Sequence, residues 1–324
     1  MLSGAPMIDI WIEKYRPKSL DEISGQAEIV EKLKAFVRAR EIPHLIFAGP
    51  AGTGKTSAAL ALAAELFGED WKMSFLELNA SNERGIDVIR EQVKDFARIR
   101  PSNSLGFKII FMDEADQLTS EAQAALRRTM EMYSETTRFI FSCNYSSQII
   151  PPIQSRTVVL RFRPLSKEDV VKRLKYIAEQ EKVDLSDDSA EAIYEASEGD
   201  MRKALNIFQA VASSGNTSPS RIFEMVGKTS RKEYEKLLRI SLEGLFEDAR
   251  NELDRMLIQQ GMSGIDIIRG LHSAVRSSQI EPRKKAEVIM ALGEAEFRIV
   301  EGGSDNIQLD ALIARLSYIG GRLS

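Results

Sequence analysis

A phosphate-binding loop of the form G-x-x-x-x-G-K-[ST] constrains this sequence more than any other feature. Its residues are Gly49, Pro50, Ala51, Gly52, Thr53, Gly54, Lys55 and Thr56. The loop follows the apolar run 45–48 and precedes a helical pattern over 57–67, which is the strand–loop–helix context that its function requires. The alternative, a glycine-rich turn with a surface lysine, does not account for that context. The pattern therefore predicts that the chain binds a nucleoside triphosphate.

The chemistry of this loop follows from its residue types. The glycines allow backbone N–H groups to turn inward, where they and the helix N-terminus attract a polyphosphate. Lys55 is placed to reach the outer phosphates, and the Thr56 hydroxyl is placed to ligate Mg²⁺.

Composition bounds the remaining possibilities. The 324 residues leave room for two or three domains, and 43% hydrophobic and 28% charged residues are typical of a globular protein. The single cysteine, Cys143, excludes an internal disulfide and is expected to be buried. No apolar run of about 18 residues and no signal pattern occur, so we expect an intracellular, soluble protein without a membrane partner. The net charge of −4 argues against a wholly nucleic-acid-coated surface, but not against a local basic stripe.

Short apolar runs alternate with helical patterns, which favours an α/β fold with a parallel sheet. The runs are 45–48, 75–78, 109–112, 139–143 and 158–162. The first is followed by the phosphate loop, and the next three by Asn79, by Asp113 with Glu114, and by Asn144. Ligands bind outside the carboxyl ends of the strands in open α/β sheets. We therefore expect these polar side chains to surround the triphosphate.

Two adjacent carboxylates at the end of the third run are candidates for the chemistry. Asp113 is placed to hold Mg²⁺, and Glu114 to polarise the attacking water as a general base. The alternative for such residues is helix capping, and we assign that role to Asp116. Asn144 is a candidate sensor of the water or the γ-phosphate, with a turn residue as the alternative.

Arg156 directly precedes the fifth run and so belongs to the opposite edge of the sheet. A five-residue strand spans roughly 17 Å, which is too far for Arg156 to reach its own phosphates. Two interpretations stay open: a surface ion pair, or an arginine finger that acts in a neighbouring subunit.

The rest of the sequence predicts helices, except for a segment before the first of them. Pro17 restricts Arg16, so 11–17 is expected to be an extended strap, with a helix following over 26–40. Ser166 to Asp169 match a capping box. Asp200 is the expected N-cap of a later helix that carries Arg202 in its first turn, where a cation opposes the macrodipole. Contact with the γ-phosphate would explain Arg202.

Six segments together resemble the replication factor C small subunit, a family of AAA+ ATPases, most closely in its archaeal form. They are Trp11 to Pro17, the phosphate loop, Asp113 to Asp116, Ala124 to Glu131, Ser142 to Asn144, and Gly199 to Ala204. The resemblance implies a sheet domain over 1–163, a helical lid over 164–228 and an all-α collar over 229–324. It also implies a five-membered ring with a large subunit, which uses ATP and Mg²⁺ to load a sliding clamp onto primer–template DNA.

The resemblance assigns further roles. Ile12, Arg16 and Ser24 would lie around the adenine and ribose, while Asn144 and Arg202 would be the first and second sensors. Arg156 would be the trans finger of the family's Ser-Arg-Cys motif. Three positions depart from the family pattern: Thr157 replaces the cysteine of that motif, Ala51 replaces a proline, and Asn82 replaces an acidic residue. None of these changes removes a phosphate ligand.

A row of cations is the candidate for DNA contact. Arg90, Lys94 and Arg98 are spaced i, i+4, i+8, and Arg84 precedes them. Such a row would follow a phosphate backbone without base recognition, although interleaved acids also suit a solvated face. The resemblance favours Arg84, Arg90 and Lys94 as DNA contacts, and it points to Phe96 and Ile99 for the clamp.

Two other function classes stay open at this point. One is a different AAA+ motor, such as a branch-migration helicase, and the other is a scaffold that binds ATP without turnover. Lys55, Thr56, Asp113, Glu114 and Arg156 are intact, which argues against the scaffold. Only the resemblance argues against the helicase.

Overall fold

The apolar runs of the sequence form a parallel sheet in the computed structural model, which describes residues 10–81, 86–226 and 230–321. The side chains of residues 70 and 86–90 lie outside this description. Within the described chain the strands are β1 His44–Ala48, β2 Phe75–Asn79, β3 Lys108–Asp113, β4 Thr137–Cys143 and β5 Thr157–Arg161. Their order in the sheet is β2-β3-β4-β1-β5, and each pair is parallel. The predicted strands and fold class are confirmed.

Both faces of this sheet are buried, which explains why its strands are continuous apolar runs. Successive residues of β1 enter different cores: Leu45 and Phe47 belong to one cluster, and Ile46 belongs to the other. β3 alternates in the same way, with Phe111 in the first cluster and Met112 in the second. Burial of each large side chain stabilises the fold by roughly 2–3 kcal/mol, so the two cores hold the strand ends in place.

Helices cover the sheet and continue beyond it. In chain order they are α1 Trp11–Lys14, α2 Ala27–Ala39, α3 Lys55–Phe67, α4 Ile86–Arg98, α5 Ser120–Met132, α6 Pro151–Gln154, α7 Lys167–Glu181, α8 Asp187–Ser197 and α9 Met201–Ser213. Short 3₁₀ turns span Leu20–Glu22, Gly68–Ser74, Ala115–Gln117 and Ser146–Gln148. Ser166 and Asp200 are confirmed as N-caps, because Ser166 accepts from the Asp169 N–H and Asp200 accepts from the Lys203 N–H. Among the described residues the reciprocal bond of a capping box is not present at α7, where the Asp169 carboxylate instead accepts from the Ser166 hydroxyl at 2.8 Å.

The prediction of an extended strap over 11–17 is wrong, because Trp11–Lys14 forms one turn of α-helix. Pro17 restricts only the residue before it, and the turn ends three residues before Pro17. Tertiary contacts stabilise the turn: the Trp11 N–H donates to Gln209 Oε1 at 3.0 Å, and the Trp11 ring packs edge-on against Phe208 at 5.0 Å. A four-residue segment contains no periodicity from which this helix could be predicted.

The chain divides into two units, Met1–Ala210 and Val211–Ser324. The helices of the second unit are the end of α9, then α10 Pro219–Val226, α11 Arg231–Leu242, α12 Phe246–Asp254, α13 Gly264–Ser277, α14 Pro282–Val300 and α15 Asp305–Gly320. A π-helical turn, Arg255–Gln259, follows α12. Leu237, Leu238, Leu312 and Leu316 are buried together in the core of this unit. No described helix has both the length and the hydropathy needed to span a bilayer.

Candidate nucleotide-binding site

A cleft opens at the carboxyl ends of the strands in the first unit. The predicted site residues that line it are Ile12, Arg16, Ser24, Ala51, Gly52, Thr53, Gly54, Lys55, Thr56, Asp113, Glu114, Asn144 and Arg202. Gly49 and Pro50 do not line it, but both belong to the same loop. Residues that are more than 150 positions apart in the sequence therefore meet in one cleft.

The phosphate loop requires glycine at two positions because other parts of the chain approach its backbone. A Cβ on Gly49 would lie 2.3 Å from the carbonyl oxygen of Phe162. Gly52 has a φ of +67°, and a Cβ there would lie 1.7 Å from Asp200 Oδ1. The Gly52 carbonyl also accepts a hydrogen bond of 3.1 Å from the Met201 N–H. The loop thus contacts the start of α9 directly.

Lys55 is held inside this loop. Only 9% exposed, it donates from Nζ to the carbonyl oxygens of Gly49 at 2.6 Å and Pro50 at 2.7 Å. Burial lowers the pKa of Lys55, and the charge of Asp113 opposes that shift. A buried ammonium with neutral partners is electrostatically undersatisfied, so it strongly favours an anionic ligand.

The residues of this site fit a magnesium ion. The Thr56 hydroxyl donates to Asp113 Oδ2 at 2.9 Å, so a hydroxyl oxygen and a carboxylate oxygen are close enough to share one ion. Mg²⁺ is usually bound through one or two protein oxygens together with phosphates and water. Among the described residues, no group of three or more His, Cys, Asp and Glu is placed to hold a metal ion.

Glu114 is exposed and has a strained backbone, with φ 52° and ψ 37°. Its N–H donates to Asp113 Oδ1 at 3.0 Å, which links the two carboxylate residues. The other described non-glycine residues with positive φ are Arg40, Lys182 and Glu198, and each is a helix C-cap, where this conformation is common. Glu114 has no such explanation, and strain of about 1–3 kcal/mol is typical of functional positions.

The assignment of Asp116 as a helix cap is wrong. Asp116 lies within the 3₁₀ turn Ala115–Gln117, and the N-cap of α5 is Thr119, whose side chain accepts from the Ala122 N–H at 3.3 Å. Asp116 instead accepts a hydrogen bond of 2.9 Å at Oδ2 from the backbone N–H of Asn144. The extra turn separates Asp116 from the helix, and a search for caps in the sequence does not reveal that separation.

The N-terminal segment and α7 also line the cleft. Here the structure adds Tyr15 and Arg173, which sequence reasoning missed. Arg173 Nη2 donates to the Tyr15 carbonyl oxygen at 2.7 Å, and the Tyr15 hydroxyl donates to Glu181 Oε1 at 2.6 Å. Burial and the Glu181 hydrogen bond raise the pKa of Tyr15 to about 12. These bonds join segments 158 and 166 residues apart, so no local pattern indicates them.

Arg202 is exposed in the first turn of α9 and lines the cleft. Its charge contributes to lowering the pKa of Lys55, so two cations act on the same region. Asp113 and Asp116 offset part of this repulsion, and the charges of a bound polyphosphate would offset more of it. This arrangement supports the interpretation that Arg202 faces an anionic group.

Three family models match this chain in sequence. The model of the ATPase family associated with various cellular activities (AAA) matches residues 45–165, and an RCF1/5-like AAA+ ATPase lid model matches residues 172–213. A model of the replication factor C C-terminal domain matches residues 230–315.

Relatives match over nearly the whole chain. The replication factor C small subunit of Picrophilus torridus is 64% identical, with 98% of this chain and 100% of the relative covered. Its counterpart in Thermoplasma volcanium is 62% identical with the same coverage, and that of Staphylothermus marinus is 52% identical, with 97% and 96% covered. The chain belongs to the replication factor C small-subunit family. It is an AAA+ ATPase.

Solved structures of Thermotoga maritima RuvB resemble this replication factor C chain in fold. One of them, a point mutant of RuvB, has a TM-score of 0.55 at 19% identity, covering 76% of this chain and 92% of that one. A second RuvB structure, described as a Holliday junction branch migration motor, has a TM-score of 0.54 at 19% identity, covering 77% and 92%. A likeness at this identity shows the AAA+ fold alone.

Arg156 of this replication factor C chain lies away from the cleft, at the amino-terminal end of β5. Arg156 Nη2 pairs with Glu131 Oε1 at 2.8 Å, and Nη1 donates to the Pro152 carbonyl oxygen at 2.8 Å. Arg127 contacts the same Glu131 oxygen at 2.9 Å. The surface ion pair is therefore present, and the trans role stays a prediction.

The predicted DNA and clamp residues are only partly described. Arg84 lies outside the described residues, as does the side chain of Arg90. Lys94 is exposed on α4, and Ile99 beyond it is also exposed, whereas Phe96 is half-buried. The buried Lys108 directs Nζ to the Phe96 carbonyl oxygen and lies 4.1 Å from the Phe96 ring centroid. DNA and clamp contact at this helix therefore stay predictions.

Cys143 is confirmed as a buried thiol, although it borders the cleft. Burial raises the pKa of Cys143 to about 12. A thiol that stays protonated is a poor nucleophile, so Cys143 acts in packing.

Proposed function

We propose that this chain is one small subunit of a five-membered clamp loader that contains a large subunit and uses ATP to load a ring-shaped sliding clamp onto primer–template DNA. The observation that carries the proposal is 64% identity to a replication factor C small subunit along 98% of the chain. The intact constellation of Lys55, Thr56, Asp113 and Glu114 in one cleft supports an ATP-hydrolysing role within such an assembly.

Lys55, Asn144 and Arg202 are proposed to act on the phosphates. The Lys55 ammonium would exchange its two loop carbonyls for phosphate oxygens, which carry full charge and bind an ammonium more strongly. Arg202 would contact the γ-phosphate from α9, and Asn144 would hold the terminal phosphate or the attacking water. Glu114 would take up the proton of that water as it attacks in line.

Thr56 and Asp113 would hold the Mg²⁺. When bound, this ion would neutralise phosphate charge and orient the outer phosphates. Asp113 also accepts the Glu114 N–H, so the residue that holds the metal positions the backbone of the general base.

The base and sugar are proposed to lie between the N-terminal segment and α7, next to Ile12, Arg16 and Ser24. These residues line the same cleft as Tyr15 and Arg173. Because Arg173 and Tyr15 join the two walls by a hydrogen bond, a nucleotide there would contact a preorganised surface rather than two independent segments.

Arg156 is proposed to stabilise the transition state in the neighbouring subunit's cleft. It lies at the opposite end of the strands from its own phosphate loop, roughly 17 Å away along β5. Its pair with Glu131 is a half-exposed ion pair, and such pairs contribute about 0–1 kcal/mol, so exchange for a phosphate partner costs little.

DNA is proposed to contact Arg84, Arg90 and Lys94 through its phosphate backbone. The net charge of −4 confines any such contact to a local stripe, and this cation row is the candidate. The division into a sheet domain over 1–163, a lid over 164–228 and a collar over 229–324 is part of the same proposal, with the collar closing the ring.

The experiment that tests this function is the ATPase rate of the chain assembled with its large subunit. Four conditions are compared: no addition, primed DNA, sliding clamp, and both together. We expect strong stimulation only when DNA and clamp are both present. Stimulation by DNA alone, with translocation and no need for a clamp, would instead favour a branch-migration type of motor.

A further inference from the structure

The loop between β3 and α5 contains a carboxylate that the proposed mechanism does not use. Asp116 neither caps α5 nor contacts Lys55, Thr56 or Glu114 through a hydrogen bond recorded among the described residues. Its Oδ2 accepts the N–H of Asn144 at 2.9 Å. Its Oδ1 is buried and accepts no hydrogen bond from the part of the chain that the structure describes.

Such an oxygen is unfavourable for stability. An unpaired buried polar atom loses its hydration without a compensating hydrogen bond, and the cost is higher for a charged group. A single hydrogen bond from a backbone N–H offsets only part of that cost. Asp116 also acts on Lys55 through its charge, which opposes the lowering of the Lys55 pKa by burial. Among the described residues, however, the one hydrogen bond of its side chain is to the backbone of Asn144, and a buried polar group with so few partners calls for an explanation other than folding.

The backbone around Asn144 is held from two sides. The carbonyl oxygen of Cys143 accepts a hydrogen bond of 3.1 Å from the N–H of Gly49, the first residue of the phosphate loop. The next N–H along the chain, that of Asn144, donates to Asp116. The peptide between Cys143 and Asn144 is therefore fixed between the phosphate loop and the loop that follows β3. Because that peptide is fixed, the position from which the Asn144 side chain extends is restrained.

We propose that Asp116 is a positioning residue for ATP hydrolysis, which orients Asn144 toward the terminal phosphate by holding its backbone N–H. The inference rests on the proposed sensor role of Asn144. In this role Asp116 acts through an oxygen that accepts a hydrogen bond, and its negative charge is not needed. Asp116 is thus distinguished from Asp113, which would hold the metal, and from Glu114, which would take the proton.

Two substitutions separate the acceptor from the charge. Asp116→Ala removes both, whereas Asp116→Asn keeps an oxygen that can accept from Asn144 and removes only the charge. In the chain assembled with its large subunit, DNA and clamp, we expect Asp116→Ala to lower kcat for MgATP by about 10- to 100-fold. Nucleotide affinity should be unchanged, and Asp116→Asn should recover at least five-fold of the lost rate. Glu121→Ala, an exposed acid at the start of α5, is the matched control.

A double-mutant cycle tests whether Asp116 acts through Asn144. Asn144→Ala retains the N–H but lacks the sensor amide, so adding Asp116→Ala should cost less than about two-fold further if the two residues form one unit. Additive losses, or equal losses in Asp116→Ala and Asp116→Asn, would overturn the positioning role. Unchanged turnover in Asn144→Ala would overturn the sensor assignment itself.

A direct readout does not depend on catalysis. Amide hydrogen exchange of Asn144, followed by NMR in the full chain labelled at asparagine nitrogen, should accelerate by about ten-fold in Asp116→Ala. The global unfolding midpoint should stay close to that of the unmodified chain. An unaltered Asn144 exchange rate in a folded Asp116→Ala protein would contradict the proposal, even if turnover fell.

Discussion

The two ends of the strands in this parallel sheet both carry charged and polar groups, but the chain satisfies them differently. At the amino-terminal end, His44 Nδ1 accepts the Phe139 N–H at 3.0 Å, and Arg138 Nε donates to the Ile42 carbonyl oxygen at 2.8 Å. Lys108 is directed to a backbone carbonyl, and Arg156 pairs with Glu131. Each of these groups has a partner that the fold itself supplies.

At the carboxyl-terminal end the same strands deliver groups that are strained or incompletely paired. Lys55 is buried against neutral carbonyls, Glu114 has a positive φ, and Asp116 has an unpaired buried oxygen among the described residues. The comparison shows that the strained and incompletely paired charged groups of this sheet lie at the carboxyl ends of its strands. A ligand that binds at this end can relieve the strain. At the amino-terminal end of the described strands, the buried Thr137 hydroxyl also lacks a hydrogen-bond partner, but it is a neutral group, and the charged groups there are paired.

The largest effect is expected from comparing the two buried lysines, one at each end. Lys55→Met should reduce nucleotide affinity by about 100-fold or more, since a buried cation facing phosphate is lost. Lys108 is 3% exposed, and burial lowers its pKa as well, yet Lys108→Met should leave nucleotide affinity unchanged. Its free energy of unfolding should change by no more than about 1–2 kcal/mol, because replacing a buried charge by an apolar side chain is often neutral. Titration with a fluorescent ATP analogue measures the nucleotide affinity of both variants. Equal losses of affinity in the two variants would contradict the difference between the two ends.

Arg156 is the exception that sharpens the comparison, because it lies at the amino-terminal end and is proposed to act on a neighbouring subunit's nucleotide. Arg156→Ala should spare nucleotide binding by the chain and lower hydrolysis in the assembled complex by about 1000-fold at the sites that depend on it. Arg127→Ala is the matched control, since Arg127 contacts the same oxygen of Glu131. Unchanged turnover in the Arg156 variant would remove the trans role and leave only the surface ion pair.

We expect His44, at the amino-terminal end of the strands, to make the stability of the fold depend on pH. Burial, aided by the charge of Arg138, lowers the pKa of His44 from 6.5 to about 4. The folded state therefore keeps His44 neutral while the unfolded state takes up a proton below pH 6.5. Stability should be complete above pH 6.5 and fall by roughly 3 kcal/mol as the pH is lowered to 4. Urea unfolding from pH 7 to 4 measures this fall, and His44→Gln should reduce its slope.

The smallest effect is expected from two glycines with similar steric restrictions. A Cβ on Gly52 would lie 1.7 Å from Asp200 Oδ1, and one on Gly320 would lie 1.9 Å from the Leu242 carbonyl oxygen. Each substitution by alanine should lower the free energy of unfolding by about 1–3 kcal/mol. Only Gly52→Ala should also reduce ATP turnover, because Gly52 contacts the start of the helix that carries Arg202. Thermal unfolding and ATPase rates of both variants check this, and loss of turnover in Gly320→Ala would contradict it.

Most of the sheet and the phosphate site could be predicted because their signals are local. The apolar runs indicate the strands, and the order of residues within Gly49 to Thr56 specifies the turn, the ammonium and the hydroxyl. Asp113, Glu114 and Asn144 are predicted to meet because parallel strands end at one edge of the sheet. The cleft contains all three.

The errors and omissions concern residues whose role depends on distant parts of the chain. The sequence pattern assigns Asp116 to a helix start, but an inserted 3₁₀ turn directs it to Asn144, 28 positions away. Trp11 begins a helix because α9 covers its ring and accepts its N–H. Tyr15 and Arg173 close the cleft through a bond between segments 158 residues apart.

The sequence by itself therefore determined the chemistry of this protein: which residues could hold phosphate and metal, and which strand ends would present them. The tertiary structure alone decided how each group is held, including the buried Lys55, the strained Glu114 and the backbone contact of Asp116. The physical reason is that residue type and periodicity are properties of neighbouring positions, whereas burial, strain and pairing are set when distant segments exclude water from the same volume.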